Sequence, residues 1–196
     1  CARREPWCIA ALRADLRDRP QRRQRRTGTR TPIPTVPPPP PLPWEVNPKG
    51  LAVNENTHRL YVADRTANAV HIIDLVLGVR EAIVPVGRQP FGVAVNAATR
   101  KAYVANFLDG TLSVIDEASE TVVKTIAFAP YGEPIHVAVN PVTNRVYVAL
   151  HRGGRLVVIN GADDTLLTTV DVGTGAFGVA VDLLLNQVYV SCRDSR

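Results

Sequence analysis

Histidine, cysteine and recurring Asp or Asn side chains are the residues of this sequence that could bind metal or perform catalysis, and their spacing argues against both. No Ser-His-Asp signature, glycine-rich phosphate loop or paired-carboxylate motif occurs in the 196 residues. The cysteines form no C-x-x-C pair and are Cys1, Cys8 and Cys192. The histidines fit no ligand spacing and are His58, His71, His136 and His151. We therefore expect no catalytic residues, no metal and no cofactor.

An Asp or Asn ends one phrase three times, at Asp74, Asp116 and Asn160. Each phrase supplies a single oxygen ligand with no second ligand nearby, which is too few for a metal ion. Asx side chains commonly accept backbone hydrogen bonds in turns, and we predict that role for these three residues.

Charge and proline divide the chain. Residues 1–43 hold ten arginines against three acidic residues, a net charge of +7, whereas residues 44–196 hold 13 basic and 15 acidic side chains. A run of four arginines and one glutamine at 22–26 precedes a segment, 32–43, in which eight of twelve residues are proline. We expect residues 1–43 to be a disordered tail with a polyproline II spacer.

The arginine run could contact nucleic acid or an anionic membrane, but no aromatic residue interleaves with it and no nucleic-acid-binding motif follows. We therefore do not expect nucleic acid as a partner, and any such contact would be made by the tail alone. No apolar stretch is long enough to span a membrane as a helix. Charged residues at 13, 15 and 17 interrupt the only stretch that resembles a secretory signal.

From Gly50 onward the chain repeats itself every 42 to 44 residues. The phrase Gly50-Leu-Ala-Val-Asn54 recurs three times, and each copy is followed by a tyrosine phrase such as Tyr103-Val-Ala-Asn106. The four tyrosines are Tyr61, Tyr103, Tyr147 and Tyr189. Each unit contains four such Val-, Ile- and Thr-rich phrases separated by short turn sequences, which predicts a four-stranded antiparallel meander. The period and strand number predict an all-β propeller built of four-stranded blades.

These phrases resemble the YVTN family of β-propeller repeats over residues 46–196. The pattern departs from the family at Leu150 and Cys192, which replace an Asn, at His136, which replaces a glycine, and at the turn 183–185. The resemblance implies an extracytoplasmic interaction or cell-surface module, located in the periplasm, secreted or on the cell surface in the intact protein.

The repeats predict blades at about 46–90, 91–134 and 135–177, with a half-blade at 178–196. Three and a half blades cannot close a ring, and the two-stranded last unit would leave an open edge at Val188–Val190. The chain begins with Cys1 and lacks methionine, so we treat it as a fragment and expect further blades in the intact protein. The tyrosines should fill the space between blades, while small residues such as Ala52 and Ala94 should lie near the axis.

Two function classes remain open. The first is a non-enzymatic module that binds a protein or surface polymer through the loops at one end of the blades. The second is a fragment of a propeller enzyme, similar to lactonases or to quinone-dependent dehydrogenases, with catalytic residues largely outside this chain. The absence of a catalytic motif favours the first class. Its candidate binding residues lie on the loop face and are Arg88, Gln89, Phe107, Tyr131, Glu133, His136, His151 and Arg152.

Overall fold

A computed structural model describes the backbone of residues 8–13 and the chain from residue 47 to residue 193. These residues form 15 strands in four antiparallel sheets. We call the sheets blades 1 to 4 in the order of the repeats along the chain. The arginine run and the proline segment lie outside the described residues.

Blade 1 consists of β2 (Pro48–Asn54), β3 (Arg59–Asp64), β4 (Ala69–Asp74) and β5 (Val79–Pro85). Blade 2 consists of β6 (Pro90–Asn96), β7 (Lys101–Asn106), β8 (Thr111–Asp116) and β9 (Thr121–Ala127). Blade 3 consists of β10 (Pro134–Asn140), β11 (Arg145–Leu150), β12 (Arg155–Asn160) and β13 (Thr165–Asp171). Blade 4 contains β14 (Ala176–Asp182), β15 (Gln187–Cys192) and a strand from the start of the chain, β1 (Cys8–Arg13). The inner strand of each blade is the first strand of its repeat, β2, β6, β10 or β14.

The structure differs from the sequence prediction at β1. Residues 8–13, expected to be disordered, pair antiparallel with β15 from Cys8 opposite Cys192 to Arg13 opposite Gln187. The predicted open edge at Val188–Val190 is therefore wrong, because β1 occupies it. An unpaired strand edge presents free N–H and C=O groups, and the backbone of β1 satisfies those of β15 by pairing with it. Local periodicity carries no signal for a pairing across more than 170 residues of chain.

Tight turns join the strands, and the predicted Asx role is confirmed. Asp74 Oδ1 accepts hydrogen bonds from the backbone N–H groups of Val76 (2.7 Å) and Leu77 (2.9 Å), and Asp116 accepts two equivalent bonds in blade 2. Asn160 of blade 3 accepts one, from the backbone N–H of Ala162 (3.2 Å). The last residue of each inner strand likewise accepts backbone hydrogen bonds in the turn that follows it. In blade 4 Asp182 accepts from Leu184 and Leu185, although the turn 183–185 is apolar. These bonds let the chain reverse within four residues at the end of the blades where the first and third strands end.

Inner strands of successive blades approach closely at glycines. A Cβ placed on Gly50 would lie 2.9 Å from the backbone N of Val93, and one on Gly92 would lie 2.8 Å from both His136 Cα and Ile135 O. Only a residue without a side chain permits these distances. Each inner strand pairs a small alanine with a tyrosine on the second strand, Ala52 with Tyr61 and Ala94 with Tyr103. Blades are therefore narrow at the inner strand and thick farther out.

The core lies between the blades, and the predicted packing role of three tyrosines is confirmed. Tyr61, Tyr103 and Tyr147 are almost completely buried, whereas Tyr189 is half-buried. The aliphatic side chains of the second and third strands surround them. Blades 1 to 4 follow one another along an arc that does not close, since the described inner strands of blades 1 and 4 do not meet.

Carboxylates from the turn between the third and fourth strands of one blade accept hydrogen bonds from polar groups of the preceding blade. Asp164 of blade 3 accepts hydrogen bonds from the Tyr103 hydroxyl (2.9 Å) and from Lys101 Nζ (2.7 Å). Glu117 of blade 2, which is buried, accepts from Asn54 Nδ2 (2.8 Å) and from Thr57. Burial raises the pKa of Tyr103, and the charge of Asp164 raises it further. We call Glu117 and Asp164 the inter-blade carboxylates.

The interface between blades 3 and 4 lacks such a carboxylate among the described residues. The Tyr147 hydroxyl is buried and forms no hydrogen bond of ordinary geometry, although the Thr143 side chain lies nearby. Tyr103 and Tyr147 thus occupy equivalent positions with different hydroxyl environments.

Gly92→Ala is expected to lower the free energy of unfolding by roughly 1–3 kcal/mol, because the added methyl group would meet backbone atoms of β10 that cannot rotate away. Gly178→Ala is the matched control, since its Cβ would meet only the Ser191 hydroxyl, at 3.0 Å. Urea denaturation measures both. Equal losses would show that the close approach of β6 to β10 does not limit this position.

Tyr103→Phe is expected to destabilise the protein by about 1.5–3 kcal/mol, the usual contribution of a hydrogen bond to a charged group. Tyr147→Phe should be nearly neutral, because its hydroxyl donates to no carboxylate. Thermal and urea unfolding of the two variants provide the comparison. A loss at Tyr147 as large as that at Tyr103 would contradict the role given to Asp164.

Candidate functional site

The loop face is the side of the arc on which the second strand of every blade ends. The links from one blade to the next run along the same side. Its geometry repeats: the residue after each second strand donates its backbone N–H to the link that precedes the same blade's inner strand. The bonds are Arg65 to Asn47 (3.1 Å), Phe107 to Gln89 (3.0 Å), His151 to Glu133 (2.8 Å) and Arg193 to Gly175 (2.9 Å). The scaffold fixes this position in every blade, and the side chain changes from blade to blade.

An aromatic row crosses the loop face from blade 2 to blade 4. It consists of Phe91, Phe107, His151 and Phe177. Successive ring centroids are 6.2, 6.3 and 6.1 Å apart, with interplanar angles of 51°, 47° and 83°. Phe91 and Phe107 pack against the core of the interface between blades 3 and 4, whereas Phe177 is 40% exposed. The rings are tilted, so neighbouring rings meet at an angle and do not stack flat on one another.

Two contacts orient the ends of the row. The Nδ1 atom of His151 lies 3.2 Å from the carbonyl oxygen of Ala176, which holds the imidazole between Phe107 and Phe177. Lys49 Nζ lies 5.9 Å from the centre of the Phe91 ring, within the range of a cation–π contact. The row therefore begins next to a positive charge.

A polar cavity of about 410 Å³ lies beside the Phe91 end of the row, between blades 1 and 2. We call it the arginine pocket; its lining residues are Asn47, Arg65, Thr66, Asn68, Arg88, Gln89 and Leu108. Arg65 Nη2 donates to the side-chain oxygen of Gln89 at 3.0 Å. Arg88 Nε donates to Asp109 at 2.5 Å, and the backbone N–H of Arg88 donates to the other carboxylate oxygen at 2.7 Å. Both guanidinium groups are thereby held at the pocket.

Asp64 shapes the loop that forms one wall of the arginine pocket. Its buried carboxylate accepts the backbone N–H groups of Thr66 (2.9 Å) and Ala67 (3.1 Å) and lies 3.2 Å from His71 Nε2. Burial alone would raise the pKa of Asp64, but the backbone N–H donors and His71 outweigh it and lower the pKa. His71, which stands alone in the sequence, is thus positioned by a carboxylate seven residues away.

The structure separates the predicted binding residues into three groups on the loop face and leaves His136 apart from them. Arg88 and Gln89 line the arginine pocket, and Phe107 and His151 belong to the aromatic row. Tyr131 packs under Arg155 at 5.1 Å, and Glu133 pairs with Arg152 at 3.2 Å, elsewhere on the loop face. His136 is exposed on the inner strand β10 and joins neither feature.

Residues Phe91, Phe177 and Arg65 were missing from the predicted set. The sequence contains a signal for the first two, because Phe91-Gly-Val-Ala-Val-Asn96 and Phe177-Gly-Val-Ala-Val-Asp182 are nearly identical phrases. Arg65 occupies the position of Phe107 in blade 1, which becomes informative only when the blades are superposed.

Within residues 47–193, no group of three or more His, Cys, Asp or Glu side chains is placed to hold a metal ion. The described part of the chain also contains no helix that is long and apolar enough to cross a membrane.

Comparison with solved structures decides the fold. The chain is similar to Kuenenia stuttgartiensis hydrazine synthase, with a TM-score of 0.65 and 20% identity over 76% of this chain and 42% of that one. It is also similar to the structure of U3-55K, with a TM-score of 0.63 and 10% identity over 69% of this chain and 43% of that one. Both are β-propeller-type folds. The chain folds as an open arc of propeller blades.

The propeller arc spans less than half the length of each of these two structures. At such identities the similarity concerns the fold alone. No protein-family model and no curated protein matches the sequence, so the specific YVTN assignment remains a resemblance.

Asp109 is expected to titrate below the ordinary aspartate pKa of 3.8, because the backbone N–H of Arg88 and then its guanidinium donate to the charged carboxylate. The pair's contribution to stability is therefore present above pH 3.8 and is lost as the pH falls through the lowered value. NMR titration of the carboxyl carbon measures this pKa. Arg88→Gln should move it part of the way back, since the backbone donor remains. An unchanged value in that variant would contradict the geometry.

Proposed function

We propose that this chain is a non-enzymatic interaction module, of the YVTN type that its repeats resemble, which binds an extended segment of a partner protein along the aromatic row. The observation that carries the proposal is the row itself: four rings from three blades, each about 6 Å from the next, on the loop face. Aromatic side chains are enriched at protein interfaces because they bury a large apolar area at a small entropic cost.

The spacing of the rings fits an extended peptide. Alternate side chains of a β-strand recur at about 6.6 Å on one face, since the rise is about 3.3 Å per residue. The centroid separations of 6.1–6.3 Å are close to this repeat, so successive clefts can take alternate apolar side chains.

The tilt of the rings disfavours a nucleic acid or a sugar polymer as the occupant. Bases stack on exposed, flat aromatic faces. At 47°, 51° and 83° to one another, the rings direct edges into each other's faces and leave clefts for aliphatic groups. A protein segment is thus the favoured occupant over a surface polymer. An extracytoplasmic location is part of the proposal and is supported by the family resemblance; protease accessibility in intact cells tests it.

The test uses a short acetylated and amidated peptide in which leucine and threonine alternate. Titrated into the isotopically labelled chain, it is expected to shift the NMR signals of Phe107, His151 and Phe177. The double variant Phe107→Ala with Phe177→Ala should weaken binding roughly tenfold or more, because the apolar clefts are lost. Leu184→Ala is the matched control, since Leu184 is 89% exposed in a turn at the opposite end of blade 4.

The proposal would be overturned if the peptide shifted mainly the NMR signals of the turn 183–185. It would also be overturned if Leu184→Ala weakened peptide binding as much as the double variant does. So would the absence of any shift at about 10 mM peptide, a concentration that detects even millimolar affinity. A polysaccharide that shifts the row while the peptide does not would replace the protein segment as occupant. Circular dichroism of each variant confirms that the blades remain folded.

A further inference from the structure

We infer that the arginine pocket binds a carboxylate of the segment that lies on the aromatic row, so that the partner is recognised by an acidic group next to an apolar stretch. The inference rests on the proposed function for the row. It is carried independently by the composition of the pocket, which contains two arginines, two asparagines and no acidic residue among its lining side chains.

The pocket offers donors in excess of acceptors. Among the described residues Arg65 forms no ion pair, and its one side-chain partner is the neutral amide oxygen of Gln89. The side-chain oxygen of Asn68 accepts the backbone N–H of Gln89 at 2.9 Å, and the described residues supply no acceptor for its Nδ2 group. Guanidinium and amide N–H groups that converge on one cavity are suited to an anion, which accepts several hydrogen bonds at once.

The charge balance selects a monoanion. Arg88 is already paired with Asp109, whereas Arg65 is not paired with a carboxylate. About one positive charge at the pocket is uncompensated, and one carboxylate matches it. A phosphate dianion would bring a second charge next to Asp109, and the repulsion would disfavour it. Lys49, at the adjacent end of the row, adds a cation in the direction from which the segment would arrive.

The backbone at the pocket is held in an unfavourable conformation. Gln89 has a φ of 52°, in the left-handed region, where the equivalent link residue of blade 4 is Gly175, with a φ of 70°. A side chain is less favourable than glycine at this φ, yet Gln89 supplies the oxygen that holds Arg65.

The pocket and the row are adjacent, because neighbouring residues of the same loops contribute to both. Leu108 lines the pocket and follows Phe107 of the row. The backbone carbonyls of Gln89 and Arg88 accept the N–H groups of Phe107 (3.0 Å) and Leu108 (3.2 Å). One extended segment can therefore place a carboxylate between the arginines while its neighbouring side chains enter the aromatic clefts.

The experiment compares three forms of the leucine–threonine peptide: with a terminal glutamate, with glutamine in its place, and without the amide so that the C-terminus is free. All are titrated against the labelled chain while the Nε–H signals of Arg65 and Arg88 are followed. We expect the glutamate or the free-carboxylate form to shift both signals and to bind roughly tenfold tighter than the glutamine form. The form with the larger gain identifies whether a side chain or a chain terminus enters the pocket.

Arg65→Gln should abolish the advantage of the carboxylate and leave binding of the glutamine peptide unchanged. Arg100→Gln, which removes the same charge at the opposite end of blade 2, should retain the advantage; its side chain is 58% exposed. Raising the salt concentration should reduce the advantage, because the interaction is ionic.

Equal binding of the glutamate and glutamine peptides, with the row still perturbed, would overturn the carboxylate inference while leaving the function of the row intact. If none of the three peptides binds the unmodified chain, both the carboxylate inference and the proposed function of the row are overturned. Inorganic phosphate that shifts the arginine signals at lower concentration than the carboxylate peptides would reject the monoanion assignment.

Discussion

The close approach of inner strands is the constraint on which the rest of this structure depends. Because Gly50 and Gly92 carry no side chain, β2, β6 and β10 come within backbone contact. The second strands, which carry tyrosine opposite alanine, must then diverge. This difference in thickness produces an arc, encloses the apolar core between blades and brings the loops of neighbouring blades to one face.

Burying tyrosine at that interface creates a second requirement, since a buried hydroxyl needs a hydrogen-bond partner. Blade 3 supplies it with Asp164, whose charge is in turn matched by Lys101, so packing and electrostatics are coupled at one point. The Glu117 carboxylate likewise accepts hydrogen bonds from the Asn54 and Thr57 side chains of blade 1. Blades 1 to 3 are thus joined by apolar contact near the middle of the sheets and by charge-assisted hydrogen bonds at the end opposite the loop face.

The loop face inherits its order from this scaffold. The same backbone hydrogen bond places Arg65, Phe107, His151 and Arg193 at equivalent points in four blades. The side chain at this position is cationic in blades 1 and 4 and aromatic in blades 2 and 3. Phe91 and Phe177, on the inner strands of blades 2 and 4, extend the aromatic row. A repeat fold can in this way build a binding surface without altering its core, because the side chains that define the surface take little part in the inner-strand contacts.

The sequence by itself determined the repeat, the four-stranded blades, the Asx turns and the burial of the tyrosines, because local periodicity and turn chemistry specify these features within one unit. It also identified Phe107, His151, Arg88 and Gln89 as loop-face residues. Only the tertiary structure decided which of them meet: Phe91 and Phe177 are separated by two repeats, yet they belong to one row. Pairing of β1 with β15, the tyrosine–carboxylate bonds and the grouping of Arg65 with Arg88 likewise join residues that are distant along the chain. Such contacts depend on how blades pack against one another, and the pattern within a single repeat does not contain that information.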